Sequence, residues 1–134
     1  LDTDTISVLI ADNNREFAVM LRDYLGTKGN IRITGIAGDG WTAYNMIAAY
    51  TPDIVILDII MPRLDGLGVL GKIKNAEMAK KPLFIVLSAI GQHDKIIRDA
   101  LALGARYYIM KPVDMDMLVE RIMQLGEECG QSAG

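Results

Sequence analysis

Five short apolar runs, each followed by a stretch of different hydrophobic period, set the tightest limit on what this chain can fold into. Residues 6–11 (ISVLIA), 31–37 (IRITGIA), 53–58 (DIVILD), 83–88 (LFIVLS) and 106–110 (RYYIM) are rich in branched and aromatic side chains and read as strands. Between them, apolar residues return at three- and four-residue spacings, as on one face of a helix. Phe17, Met20, Leu21, Tyr24 and Leu25 form the first such stripe, with Asn13 three residues before Glu16 as a capping-box-like start. Helices are predicted over 41–50 with Ala43, Ile47 and Tyr50 inward, and over about 67–76. Two more are predicted over 93–103, with Ile96, Ile97, Ala100 and Leu101 inward, and over 114–126, with Leu118, Val119, Ile122 and Leu125 inward.

Strands that read as nearly continuous apolar runs are covered on both faces, which means a parallel sheet between helical layers. Five strands are too few for a closed eight-fold barrel. The expected fold is therefore α/β and flavodoxin-like: a doubly wound five-stranded parallel sheet of order 2-1-3-4-5 with five helices. Residues 1–126 are expected to form the domain. The polar, glycine-containing stretch 127–134 is expected to be a tail or the start of a linker to an output domain.

The 134 residues suit one domain with its own core. With 51% hydrophobic and 23% charged residues, the chain is globular in composition. A net charge of −3 argues against direct contact with nucleic acid, which needs a basic face. No apolar run approaches the roughly 18 residues of a membrane span. The single cysteine, Cys129, allows no internal disulfide and fits a reducing, cytoplasmic setting. The start Leu1-Asp2-Thr3-Asp4 has no signal-peptide character, and its lack of Met suggests a fragment of a longer protein.

Ligands of such sheets bind beyond the carboxyl ends of the strands, near the point where strand order reverses. The first strand ends in Asp12-Asn13, the third in Asp58 and the fourth in Ser88, while Lys111-Pro112 follows the fifth. Two carboxylates, an amide, a hydroxyl and an ammonium thus converge on one edge. That set suits phosphoryl transfer onto a carboxylate. A carboxylate oxygen is a competent nucleophile, and a magnesium ion held by Asp12 and Asp58 relieves its repulsion with the phosphoryl group. Lys111 can pair with one phosphoryl oxygen and the Ser88 hydroxyl can donate to another.

The motifs VLIADNN (8–14), VILDIIMPRLDG (55–66), VLSA (86–89) and GARYYIMKP (104–112), in this order, resemble the receiver domain of bacterial response regulators over roughly residues 6–125. The resemblance implies that Asp58 is the phosphoacceptor, and that Asp12, Asn13, Asp58 and the Ile60 carbonyl serve Mg2+. It implies Ser88 and Tyr108 as switch residues, Lys111 as the phosphate-pairing lysine, and a cis Lys111-Pro112 bond. A histidine kinase or histidine phosphotransferase would be the phosphodonor, and phosphorylation could drive homodimerisation. The stretch LDIIMPRLDGLGVL (57–70), with SAIGQ (88–92), is similar in particular to the receivers of sporulation regulators in spore-forming Firmicutes.

Asn13 departs from the family, which normally carries a second acid there. Losing a unit charge about 4 Å from a divalent ion forfeits roughly 8 kcal/mol of Coulomb energy at a dielectric near 20, before desolvation and the amide dipole are credited back. Weaker metal binding is the expected direction. Asn13 alternatively caps the following helix.

Each residue also has a plainer reading. Asp58 alone would be a solvated strand-end acid, Ser88 a turn residue, Lys111 a surface lysine, Tyr108 a core or half-buried strand aromatic, and Asp65-Gly66 a turn. His93, the only histidine, reads as a solvated helix-start residue, which argues against a histidine-based catalytic or zinc site. Met117 and Met123 are candidates for an outward partner surface. Three functions compete: a phosphorylated switch, not a stand-alone enzyme; a phosphorylation-independent interaction module, supported by Asn13; and a small enzyme or nucleotide binder. The last lacks both GxxxxGK[ST] and a GxGxxG after the first strand.

Overall fold

The computed structural model describes residues 5–89 and 93–133, with side chains described up to residue 129. Leu1–Asp4, and the Ile90-Gly91-Gln92 part of the SAIGQ stretch, lie outside the described residues.

Strands β1 (Ile6–Ala11), β2 (Ile31–Ala37), β3 (Ile54–Asp58), β4 (Leu83–Ser88) and β5 (Ala105–Met110) alternate with helices α1 (Arg15–Gly26), α2 (Gly40–Tyr50), α3 (Gly66–Asn75), α4 (Asp94–Ala102) and α5 (Met115–Ala133). The strands form one sheet in the order β2-β1-β3-β4-β5, every neighbouring pair parallel. This is the expected doubly wound α/β sheet.

The period of two along each strand divides the core. Leu9, Val55, Leu57, Phe84 and Val86 face α2, α3 and α4, which contribute Ala43, Ile47, Val69, Leu70, Ile73 and Ala100. Val8, Ile10, Ile54, Ile56, Ile85 and Leu87 face α1 and α5, which contribute Ala18, Leu21, Leu25, Leu118, Ile122 and Leu125. Removing each of the valine, leucine, isoleucine and phenylalanine side chains from water is worth roughly 1.5–3 kcal/mol, so the three layers are held by burial on both sheet faces.

Side-chain oxygens set the helix starts. Asn14 Oδ1 accepts from Phe17 N–H at 3.1 Å, Asp39 Oδ1 from Thr42 N–H at 2.8 Å, Asp65 Oδ1 from Gly68 N–H at 2.8 Å and Asp114 Oδ1 from Met117 N–H at 3.1 Å. The cap of α1 is therefore Asn14, not Asn13. The two adjacent asparagines offer the same chemistry one residue apart, and only the backbone decides which one turns back on the helix. His93 is exposed and precedes α4 without a side-chain cap bond.

Helix α5 runs past Gly126, where the sequence suggested an end. A Cβ at position 126 would collide with the Ile6 side chain, so this glycine is where the helix lies against β1. Beyond it, Glu128 accepts two hydrogen bonds from Arg106, at 2.6 and 2.8 Å, and half-buried Cys129 sits against the Asp53 carbonyl. Met20, Tyr50 and Leu101 were expected inward but are 47%, 55% and 46% exposed. Met123 was a candidate for the outer surface, yet it packs against the α1/α5 core; Met117 is half-buried.

Candidate functional site

Asp12, Asp58 and Lys111 meet at the carboxyl edge of the sheet. Asp12 directly follows β1, Asp58 ends β3 and Lys111 directly follows β5. Within β3, Asp58 continues the alternation of Ile54 and Ile56, so its side chain leaves the sheet on the α1/α5 side. Lys111 Nζ lies 2.9 Å from Asp12 Oδ2 and 4.0 Å from Asp58 Oδ2. The side chains of Asp12, Asp58 and Lys111 are 4%, 12% and 17% exposed, so the charges interact with little solvent between them. The Lys111-Pro112 peptide bond is cis.

Burial, and next the charge of Asp12, push the Asp58 carboxyl above its ordinary range, while Lys111 and the Ile60 and Ile59 N–H groups pull it back. The Ile60 N–H donates to Asp58 Oδ1 at 3.4 Å, a long bond. Asp12 Oδ1 accepts from Asn14 N–H at 2.8 Å. Asn13, next to Asp12 in the chain, is exposed.

Ser88 and Tyr108 stand on the neighbouring strands. Ser88 ends β4, is 1% exposed, and follows Leu87, the register partner of Asp58. Its carbonyl accepts the Lys111 N–H at 2.9 Å, tying β4 to the start of the Lys-Pro turn. Tyr108 pairs with Val86, and its ring packs against the α2/α3/α4 core. Its hydroxyl is buried with no hydrogen-bond partner among the described residues.

Two features escaped the sequence reading. Gly66, taken as a turn former, donates its N–H to the Ile59 carbonyl at 2.8 Å, and a Cβ there would overlap the Asp58 carbonyl and Ile59 Cα. Only glycine lets α3 start this close to the loop that carries Asp58. The Asp-Gly pair after Pro62 was the available signal, but a turn and a close approach share it. Phe17, counted as core, places its ring 4.3 Å from Lys111 Nζ. No local pattern could have joined residues so distant in sequence.

Residues 8–123 match the response regulator receiver domain family. The chain belongs to that family. Receiver domains of this kind accept a phosphoryl group, typically with Mg2+, from histidine kinases or phosphotransferases; they catalyse their own phosphorylation and are not stand-alone enzymes. The receiver is similar to the response regulator domain of CheB from Thermotoga maritima, at 27% identity and TM-score 0.81, covering 92% of this chain and 97% of that one. It is similar to the signal receiver domain of the putative response regulator NarL from Mycobacterium tuberculosis, at 25% identity and TM-score 0.84, covering 92% and 98%. A third similar structure is the CheX-CheY-BeF3-Mg+2 complex from Borrelia burgdorferi, at 33% identity and TM-score 0.77, covering 90% and 88%. The fold of these structures is the fold of this receiver.

The donor set of the receiver suits a hard divalent cation. Asp12 and Asp58 present two carboxylates within reach of one ammonium, and burial, then the charge of Asp12, raises the Asp58 carboxyl. A group of three or more acids, histidines or cysteines suited to a metal does not occur among the described residues. Magnesium needs only one or two carboxylates beside water and phosphate oxygens, which matches Asp12 and Asp58. No helix among the described residues is long and apolar enough to cross a membrane.

Proposed function

We propose that this receiver takes a phosphoryl group on Asp58 and converts it into a change of surface on α4, β5 and α5. The observation that carries the reading is the convergence of Asp12, Asp58 and Lys111, from three strands, on one part-buried point. Asp12, Asn13, Asp58 and the Ile60 carbonyl would hold Mg2+; when bound, the ion supplies the positive charge that lets an anionic phosphoryl group approach a carboxylate. One oxygen of Asp58 attacks phosphorus, forming the acyl phosphate. The bond from phosphorus to the donor's nitrogen or oxygen breaks, and the leaving group departs with its electron pair. Lys111 then pairs with a phosphoryl oxygen. The donor is a phosphohistidine of a kinase or phosphotransferase.

Ser88 and Tyr108 carry the switch in this reading. The Ser88 hydroxyl moves to a phosphoryl oxygen, and Tyr108, whose hydroxyl is buried without a partner among the described residues, repacks beside it. Both side chains lie at the junction of β4 and β5, so their movement alters the adjoining α4–β5–α5 face. Homodimerisation on that face follows phosphorylation, in the cytoplasm. Residues 1–126 act as the receiver, and 127–134 begin the connection to an output domain. The likeness of 57–70 and 88–92 to sporulation regulators supports transcriptional control of sporulation as the output. The receiver itself does not touch nucleic acid. Four of its lysines are engaged within the fold: Lys72 over Trp41, Lys74 on the Ala102 carbonyl, Lys80 on Asp53 and Lys81 on the Lys74 carbonyl.

Asn13 favours one competing reading, an interaction module that has stopped taking phosphate. Hydrogen exchange with and without acetyl phosphate and magnesium separates the two. The switch reading expects changed protection over β4 to α5 in the parent, none in Asp58→Asn, and none in Ser88→Ala although that variant is still phosphorylated. Equal exchange in all three, with the parent phosphorylated, would contradict the switch.

A further inference from the structure

We infer that Phe17 is a positioning residue for Lys111, through a closed circuit that runs from the first strand through the start of α1 and back. The inference rests on the phosphoacceptor reading above. Asp12 Oδ1 accepts the Asn14 N–H at 2.8 Å, and the Asn14 side chain accepts the Phe17 N–H at 3.1 Å. Phe17 then sets its ring 4.3 Å from Lys111 Nζ, whose ammonium returns to the other oxygen of Asp12 at 2.9 Å. Each link fixes the next.

The ring does what another polar partner could not. A lysine side chain has four rotatable bonds, and its ammonium is strongly hydrated in water. The π-face attracts the ammonium without offering it a hydrogen-bond acceptor, so the charge is held near the carboxylates while its donors stay free for Asp12 and for an incoming oxygen. A carboxylate in place of the ring would bind Lys111 more tightly and hold it away from the phosphoryl group. Phe17 also lies against the ammonium from the α1 side, and the Lys111 side chain as a whole is 17% exposed. The apolar stripe of α1 would accept leucine at position 17 equally well for packing. The aromatic face is needed only for the lysine.

The test compares Phe17→Leu, which keeps an apolar side chain, with Phe17→Tyr, which keeps the ring. Phosphorylation by acetyl phosphate at saturating magnesium gives the maximal rate and the half-saturating donor concentration for each. The expected result is a maximal rate about fivefold lower in Phe17→Leu, equivalent to about 1 kcal/mol at 1.36 kcal/mol per tenfold. Phe17→Tyr should retain the parent rate, and magnesium affinity and melting temperature should hold in both. NMR supplies a second readout: the ε-methylene protons of Lys111 should be shifted upfield by the ring in the parent and in Phe17→Tyr, but not in Phe17→Leu. Parent-like phosphorylation in Phe17→Leu, or equal slowing in Phe17→Tyr, overturns the inference. A parent chain that takes no phosphoryl group contradicts the phosphoacceptor reading instead, and the ring shift still reports whether Phe17 holds the ammonium.

Discussion

Lys111 and Asp12 are in direct contact, Nζ to Oδ2 at 2.9 Å, while the same ammonium stands 4.0 Å from Asp58. The shorter distance goes to the more buried acid, where an unpaired charge would be most expensive. Asp58 stands farther from that ammonium, and burial, then the charge of Asp12, raises its carboxyl pKa. In the phosphorylation reading Lys111 therefore has to share its charge with a new partner, and the site begins with its nucleophile under electrostatic strain.

That strain has a sign. The folded Asp58 carboxyl holds a proton more readily than in an unfolded chain, chiefly because of burial and then the charge of Asp12. Its contribution to stability is fully present below the ordinary carboxylate range and is lost as pH rises through the raised value. Asp58→Asn is expected to stabilise the protein at pH 7 by about 1 kcal/mol, about 3–4 °C in melting temperature. The advantage should shrink as pH falls through the raised value and vanish below the ordinary carboxylate range, where the parent carboxyl is protonated in both states. Thermal melts of both proteins across that range check it; an advantage independent of pH would mean that charge is not its cause.

Lys111→Met should act in the opposite direction. It leaves two part-buried carboxylates facing each other, at an expected cost of about 2 kcal/mol in urea unfolding. Magnesium should restore part of that loss and do less for the parent, because the ion then supplies the missing charge. A variant as stable as the parent without magnesium would show that the contact with Asp12 contributes nothing.

Asn13→Asp should tighten magnesium binding. Even at the dielectric of bulk water, a unit charge about 4 Å from a divalent ion is worth about 2 kcal/mol, and losing the amide as a ligand returns part of it, so a gain of about tenfold is expected. Asn14, not Asn13, caps α1, so this substitution leaves the helix start intact. Isothermal titration decides the matter, and unchanged affinity would remove Asn13 from the metal site.

Two glycines of α3 should respond in opposite ways. Gly66→Ala forces a Cβ into the Asp58 and Ile59 backbone and is expected to destabilise by about 2 kcal/mol while displacing the phosphoacceptor loop. At Gly71 a Cβ meets nothing, so Gly71→Ala should stabilise by about 0.5–1 kcal/mol through helix propensity alone. Chemical denaturation of the pair is the check.

The strands, their burial on both faces and the edge that carries the chemistry were legible because they follow from local period, whereas the strand order was expected only as the common arrangement for such a sheet. Apolar runs such as ISVLIA and DIVILD state their burial directly, and the residues ending them must point toward the carboxyl edge. Whether Asn13 or Asn14 turned back onto the helix was not legible, because the choice depends on one backbone rotation. The reach of α5 was hidden for a different reason. Gly126 looks like a helix end until Ile6 is seen beneath it, and the Arg106–Glu128 pair joins segments that no local window contains. Phe17 and Gly66 were visible as a core residue and a turn residue. Their closeness to Lys111 and Asp58 is a property of the assembled sheet.

The most direct measurement is the intact mass of the protein after incubation with acetyl phosphate across a series of magnesium concentrations, with Asp58→Asn alongside. The account predicts a single phosphoryl adduct that depends on magnesium and is absent from the variant. No adduct at any magnesium concentration, or an adduct that persists in Asp58→Asn, would contradict it.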